Sequence, residues 1–270
     1  MFSRSEYRRV IAWPERIKRE APFLHDVFGD APARGLPRRL LDVGCGSGEH
    51  ARHFAEQGWT AVGVDVSDSM IESAREVAGD TSAGGSVRFE LRDGATAGEL
   101  PEAPFGGALF LGNGLAFVPT RDALDALFRG IARALAPGAP FLIQTLNYAR
   151  IASGAQRAMP VNVRELPEEE GGGKVVLVRV FEPADGDQDF VHFFPISLHL
   201  VPSETEGEAP RVDVRGAKQL RHRAWRRPDV ESALTAAGFE NLSVFGGMRR
   251  EPFDEATSSD LVVAARTVPA

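Results

Sequence analysis

One cysteine, Cys45, stands among 270 residues. That scarcity excludes an internal disulfide and any zinc cluster built on cysteines. Basic charge is short as well, with 31 Lys and Arg against 38 Asp and Glu and a formal net charge of −7. A nucleic-acid partner is not expected, because a phosphate backbone rewards a basic face. Basic residues gather at Arg215, Lys218, Arg221, Arg223, Arg226 and Arg227, which reads as a solvated strand edge. No stretch approaches the ~20 apolar residues of a membrane span. The opening residues Ser3-Arg4-Ser5-Glu6-Tyr7-Arg8-Arg9 are charged and lead into no apolar run, so no signal peptide is expected. The expectation is a cytoplasmic protein with no membrane partner. His50 and His53 lie three apart on a predicted helix without a third ligand. They read as surface or supporting residues, and no metal site is expected.

With 43% hydrophobic residues the chain can bury a full core. Amphipathic helical pattern over 4–29 is interrupted at Pro14 and Pro22, and a Pro/Gly-rich linker follows. From there to about Leu146, short apolar strands alternate with helical stretches. Strands are expected at about 39–44, 60–64, 87–91, 105–111 and 141–146, and the clearest helix at Arg121–Leu135. Strict alternation of this kind argues for an α/β fold with a parallel, doubly wound sheet. Residues 150–224 change character. Val175–Phe181 and Phe190–Val201 read as a hairpin around Pro183-Ala184-Asp185-Gly186-Asp187, and 211–220 supplies a further strand. Helix and strand patterns return at 228–237, 241–246 and 260–265. The organisation expected is an N-terminal helical lid (1–36), a nucleotide-binding domain (37–149 and 225–270) and an inserted antiparallel β cap (150–224).

The most informative stretch is Leu40-Leu41-Asp42-Val43-Gly44-Cys45-Gly46-Ser47-Gly48. An apolar strand runs into glycines at alternate positions, then a helix, then a second strand that ends in Asp65. Glycines let the backbone turn sharply and approach a ligand closely. An acid at the tip of the second strand suits a ribose diol, which offers two hydroxyl donors to one carboxylate. The spacing is Gly-x-Gly-x-Gly, not the Gly-x-Gly-x-x-Gly of dinucleotide sites, and Asp42 precedes the first glycine. Negative charge there disfavours a pyrophosphate and favours a ligand with a cationic centre.

On these residues the chain resembles the class I S-adenosylmethionine (SAM)-dependent methyltransferases. The shared elements come in the family's order: Leu41–Gly48; Gly63-Val64-Asp65-Val66-Ser67-Asp68-Ser69-Met70; Arg92-Asp93-Gly94; Phe105–Gly112; and Leu135-Ala136-Pro137-Gly138-Ala139. The resemblance implies a Rossmann-like, seven-stranded, mostly parallel sheet whose last strand is antiparallel. It implies SAM as cofactor and S-adenosylhomocysteine as product. Cofactor-binding positions would be Asp42, Gly44, Cys45, Gly46, Gly48, Asp65, Val66, Met70, Asp93, Gly94, Leu111 and Gly112. Trp13, Arg16 and Tyr7 would belong to helices that fold over the cofactor in relatives.

Within the family the chain is similar to the small-molecule branch that includes glycine N-methyltransferase. Leu111-Gly112-Asn113-Gly114 and Asn147-Tyr148 with Ile151 match that branch, and both chains insert β structure directly afterwards. Leu146 stands where the branch has a carboxylate-gripping Arg, and Gly114 replaces a Ser, so glycine is not the expected acceptor. The implied reaction is methyl transfer to N or O of a small molecule, and a homo-oligomer is compatible with it. Asn113 is the candidate for orienting the acceptor. A hairpin centred on Asp185-Gly186 would bring Arg179 opposite His192, with Arg179 binding an anionic group and His192 acting as base or donor. Two other readings stay open: a SAM-binding protein without turnover, and an NAD-linked oxidoreductase, which would require the longer glycine spacing.

Overall fold

A computed structural model describes residues 11–184, 186–203, 205 and 207–269, so Tyr7 and the other opening residues lie outside the described part. Two compact units emerge. One comprises 14–147 and 225–270; the other comprises 148–224, with Ile11, Ala12 and Trp13 grouped with it.

The larger unit is built on an eight-stranded sheet. Its strands are β1 (Arg39–Val43), β2 (Thr60–Asp65), β3 (Gly79–Asp80), β4 (Ser86–Leu91), β5 (Gly107–Phe110), β6 (Pro140–Leu146), β12 (Phe239–Phe245) and β13 (Asp260–Thr267). They run in the order β12-β13-β6-β5-β1-β2-β4-β3. Pairings among β4, β2, β1, β5 and β6 are parallel, and β13 is antiparallel to β6 and to β12. That is the Rossmann-like sheet with a reversed last strand, plus the two-residue β3 at one edge. The strands read as near-continuous apolar runs because both faces are covered, and successive residues enter opposite cores. Leu41, Val43, Phe110, Phe141 and Ile143 pack with α4 (Arg121–Ala134) and α6 (Arg227–Ala236). Leu40, Leu109 and Leu142 face the other way, toward α1 (Trp13–Phe28), α2 (Glu49–Ala55) and α3 (Asp68–Ala74).

Pro22 does not end the first helix; α1 runs through it. A proline inside a helix forfeits one hydrogen bond, a cost of about 3 kcal/mol. Phe23, Leu24 and Phe28 are 4%, 1% and 0% exposed, and burying each side chain contributes roughly 1.5–3 kcal/mol. Packing therefore wins over propensity. Pro14 sits in the first turn, where its missing N–H has no partner to lose.

The smaller unit carries a five-stranded antiparallel sheet: β7 (Asn162–Glu165), β8 (Lys174–Ala184), β9 (Asp187–Val201), β10 (Arg211–Ala217) and β11 (Leu220–Arg223). A short helix, α5 (Tyr148–Ala152), opens this segment, where sequence pattern alone shows no helix. Its Tyr148 hydroxyl meets His222 Nδ1 at 2.8 Å inside the unit. Three residues of the basic run are paired with carboxylates: Arg221 with Asp187 at 2.8 Å, Arg223 with Asp189 at 2.9 Å, Arg227 with Glu231 at 3.0 Å. On either side of the insertion the chain is pinned within the larger unit. Asn147 Nδ2 donates to the carbonyls of Glu255 and Ser258, and Trp225 Nε1 donates to the carbonyl of Val118. Among the described residues no helix is long and apolar enough to cross a membrane.

Gly130 on α4 tests the packing. Replacing a helical glycine by alanine ordinarily gains about 1 kcal/mol. Here an added Cβ would stand 2.2 Å from the carbonyl oxygen of Ala95, and overpacking against backbone costs roughly 1–3 kcal/mol. Gly130→Ala should therefore lower the urea midpoint; a raised midpoint would show that the 94–99 turn yields freely.

Candidate active site

The carboxyl ends of β1, β2, β4 and β5 converge on the glycine loop. After Val43 the chain takes three left-handed turns, at Gly44 (φ 61°), Gly46 (φ 55°) and Gly48 (φ 88°), and enters α2. A Cβ on Gly48 would lie 2.4 Å from the Phe89 ring, and one on Gly44 would lie 2.9 Å from Phe110. Gly46 differs: a Cβ there meets nothing within 4 Å. Its glycine leaves open space above the loop, which is what a ligand lying on the backbone requires.

Asp65 fixes the loop. Its Oδ2 accepts the Gly46 N–H at 3.0 Å and its Oδ1 accepts the Ser67 N–H at 2.8 Å. Ser67 precedes α3 but its own side chain makes no capping bond; the neighbouring carboxylate supplies the acceptor instead. Beyond it, Val66 is 73% exposed and Leu91, at the end of β4, is 49% exposed. Asp93 caps the turn at 94–99 through Oδ1, which accepts the Ala95 N–H at 2.9 Å. Gly94 is wedged between Val43 and Leu127. Met70 is half-buried on α3.

A second group of charges lies on the α1–α2 side. Asp42 is 2% exposed, and its Oδ2 has no hydrogen-bond partner. Its carboxyl accepts from the backbone of Ala51, in the first turn of α2, where Gly48 offers no capping side chain. Burial, with Asp65 and Glu49 nearby, pushes its pKa up to about 8. Burial and the same acidic surroundings also push up Cys45, which stays a thiol. Arg16 reaches this region from α1, where its Nε donates to Glu20 at 2.9 Å. Glu20 also bonds His50 Nε2 at 2.8 Å. Its pKa is held down at about 2: burial opposes the shift, and the hydrogen bonds from His50 and Arg16 with the Arg16 charge outweigh it. Leu111 is buried at the end of β5. The Gly112 N–H donates to Gln144 Oε1 at 2.9 Å. Gln144 in turn bonds Asp260, whose pKa burial raises to about 6.

Three expected residues are placed differently. Asn113 adopts φ 73°, and its Oδ1 accepts from Thr145 Oγ1 at 2.9 Å and from the Leu146 N–H at 3.2 Å. It fastens the end of β5 to β6. Arg179 and His192 do not face each other. Arg179 pairs with Pro195 and His192 with Glu182, which sets the two side chains on opposite faces of the cap sheet. A register shift between Pro183 and Ala184 is the cause: Ala184 pairs with Asp187 at the tip, and Pro183 already with Val191. Arg179 Nη2 donates to the Pro160 carbonyl and to Asn162 Oδ1, and His192 lies beside Gln219. Trp13 groups with the smaller unit and Arg16 with the larger. Sequence reading missed Glu20, Gln144 and Asp260. The i,i+4 spacing of Arg16 and Glu20 was the available signal for the first. Among the described residues no cluster of His, Cys, Asp and Glu could hold a metal ion.

Comparison with known proteins bears on this arrangement directly. The family described as "Methyltransferase domain" matches residues 40–138, the stretch from β1 through the glycine loop to the turn before β6. The match takes in the glycine loop and its flanking strands but less than half of the chain. The fold agrees: SAM-bound CalS10, an amino pentose methyltransferase of Micromonospora echinaspora, superposes with a TM-score of 0.66 at 22% identity over 97% of this chain and 95% of that one. Trans-aconitate 2-methyltransferase of Streptomyces avermitilis is 36% identical over 145 residues, 50% of this chain and 51% of that enzyme. N-demethylindolmycin N-methyltransferase of Streptomyces griseus is 28% identical over 208 residues, 76% and 70% of the two chains. The 18S rRNA (guanine-N(7))-methyltransferase RID2 of Arabidopsis thaliana is 42% identical over 72 residues, 26% and 25%. The chain thus spans about half or less of the length of several curated relatives it matches.

In the methyltransferase domain, Asp42 gives a pH signature of its own. A carboxyl raised above its unfolded value contributes stability that is complete at low pH and is lost as pH climbs to the folded value. Asp260 titrates near 6, and Glu20, His50 and His222 are shifted downward, so they act at lower pH. Between pH 6.5 and 8 the melting temperature of the ligand-free protein should fall, and Asp42→Asn should remove most of that fall. Equal slopes in the two proteins would count against a neutral buried carboxyl.

Proposed function

We propose that the chain transfers a methyl group from SAM to a small-molecule acceptor, with an amine nitrogen as the favoured atom. The observation that carries this is the pairing of an open glycine backbone at Gly46 with a buried, unpartnered carboxyl oxygen on Asp42. A cationic group arriving there would favour the ionised form of Asp42, whereas a phosphate would oppose it, so a ligand that brings cationic groups and no phosphate suits the site. The other ends of such a ligand also find chemistry. Asp65 keeps lone-pair capacity for a ribose diol beside the backbone N–H bonds it takes from Gly46, Ser67 and Val66. Val66 and Leu91 offer exposed apolar surface for a flat base, with Met70 and Asp93 close in sequence. The Arg16 guanidinium suits the ligand's carboxylate.

When bound, SAM supplies an electrophilic methyl whose departure leaves a neutral thioether. The chain's task is then alignment and exclusion of water. Rigidity is present where alignment needs it: Asp65 pins the loop, and Asn113 and Gln144 pin the end of β5 to β6. Acceptor choice falls to residues beyond this frame, in which Arg179 and His192 act separately and not as a pair.

Support for a small molecule comes from the indolmycin-type relative, because a 208-residue match necessarily takes in much of the inserted β segment. The 72-residue match to an rRNA enzyme is too short to hold both the glycine loop and that segment. A net charge of −7 also opposes a phosphate-rich acceptor.

Two measurements test the proposal. Calorimetry should show SAM binding and no NAD binding, with Asp65→Ala weakening SAM roughly tenfold or more, the scale for a charged hydrogen-bonding group. Release of S-adenosylhomocysteine should rise with a panel of small amines; release with neither amines nor hydroxyl compounds, despite SAM binding, would leave a binding protein without turnover.

A further inference from the structure

Glu20 is an ionised carboxylate in a place where ions are costly. It is 2% exposed, so both oxygens need partners. One accepts from Arg16 a helical turn away on α1, and the other from His50, itself 5% exposed, on α2. The half-exposed Arg19 approaches the first oxygen at 3.6 Å. Burial keeps His50 uncharged at neutral pH, so its Nε2 carries the proton that Glu20 receives.

The consequence lies in the direction of the Arg16 fork. With Nε committed to Glu20, the terminal nitrogens stand 3.8 and 3.9 Å from where a Cβ on Gly112 would lie. The guanidinium is thereby set at the end of β5, in the electrostatic reach of Asp42 and Asp260. An unrestrained Arg side chain samples many rotamers, and ordering it costs entropy. Glu20 orders it before any ligand arrives, and His50 anchors Glu20 to the helix that leaves the glycine loop. The network therefore joins the side chain that meets the ligand's carboxylate to the loop that meets its remainder.

We infer that Glu20 is a positioning residue for cofactor binding: it presents Arg16 to the carboxylate of the cofactor's methionyl group and, through His50, couples α1 to the glycine loop. This rests on the reading of Arg16 above. Two ligands separate the parts. S-adenosylhomocysteine carries the methionyl-type carboxylate, and 5′-methylthioadenosine lacks the amino-acid group altogether.

Binding of both would be measured by calorimetry, with melting temperature recorded for every variant. Glu20→Gln should weaken S-adenosylhomocysteine roughly tenfold or more, as for loss of a charge-assisted contact, and change 5′-methylthioadenosine less than about twofold. His50→Ala should give a smaller loss with the same selectivity, and His50→Gln, whose amide can still donate, should restore affinity. An equal loss for both ligands, or no loss, overturns the proposal. Arg16→Ala tells the two failures apart. If it is selective for S-adenosylhomocysteine while Glu20→Gln is not, positioning fails and the reading of Arg16 stands. If Arg16→Ala is itself unselective, the reading of Arg16 fails and the proposal with it. Should Glu20→Gln not fold, the His50 pair decides on the same terms.

Discussion

A single carboxylate holds the two connections on which the ligand end of this fold depends. Asp65 takes the Gly46 N–H with one oxygen and the Ser67 N–H with the other. The first bond freezes a loop whose glycines would otherwise sample both signs of φ. The second sets the start of α3. Since the acid grows from the end of β2, the middle of a sheet buried on both faces, it inherits that sheet's rigidity. Moving β2 would displace the loop, the next helix and the acid together.

Around this fixed point the charges are arranged in opposite states. Glu20 is ionised and holds a donor on each oxygen; Asp42, on β1, is kept neutral by burial, with Asp65 and Glu49 nearby. Burial is the main cause of the protonation of Asp42, and the charges of Asp65 and Glu49 add to it.

Much of this was legible in the sequence. Strand-to-glycine and strand-to-acid junctions are local, and the alternation of apolar runs with helices dictates a doubly wound sheet without knowledge of partners. Asp42, Asp65 and Asp93 were placed at strand ends for that reason. What escaped depends on contacts distant in sequence. Glu20 reads as a surface acid on an amphipathic helix, and its burial follows only from how α1 lies on the sheet unit. Pro22 reads as a break, and aromatic packing overrides it. In the cap, alternation correctly put Arg179 with Val175, Leu177 and Phe181, yet cross-strand pairing requires the register, and the shift after Pro183 moved every partner by three residues. Period-two patterns determine faces; they do not count bulges.

The anchoring of the insertion has a consequence for how such a protein diversifies. Asn147 and Trp225, the residues that bracket it, spend their side-chain N–H donors on carbonyls of the sheet unit. Seventy-odd residues of β structure are therefore spliced between two clamps that do not read what lies between them. Exchange of the whole segment for another that begins and ends at those clamps would leave both clamps in place.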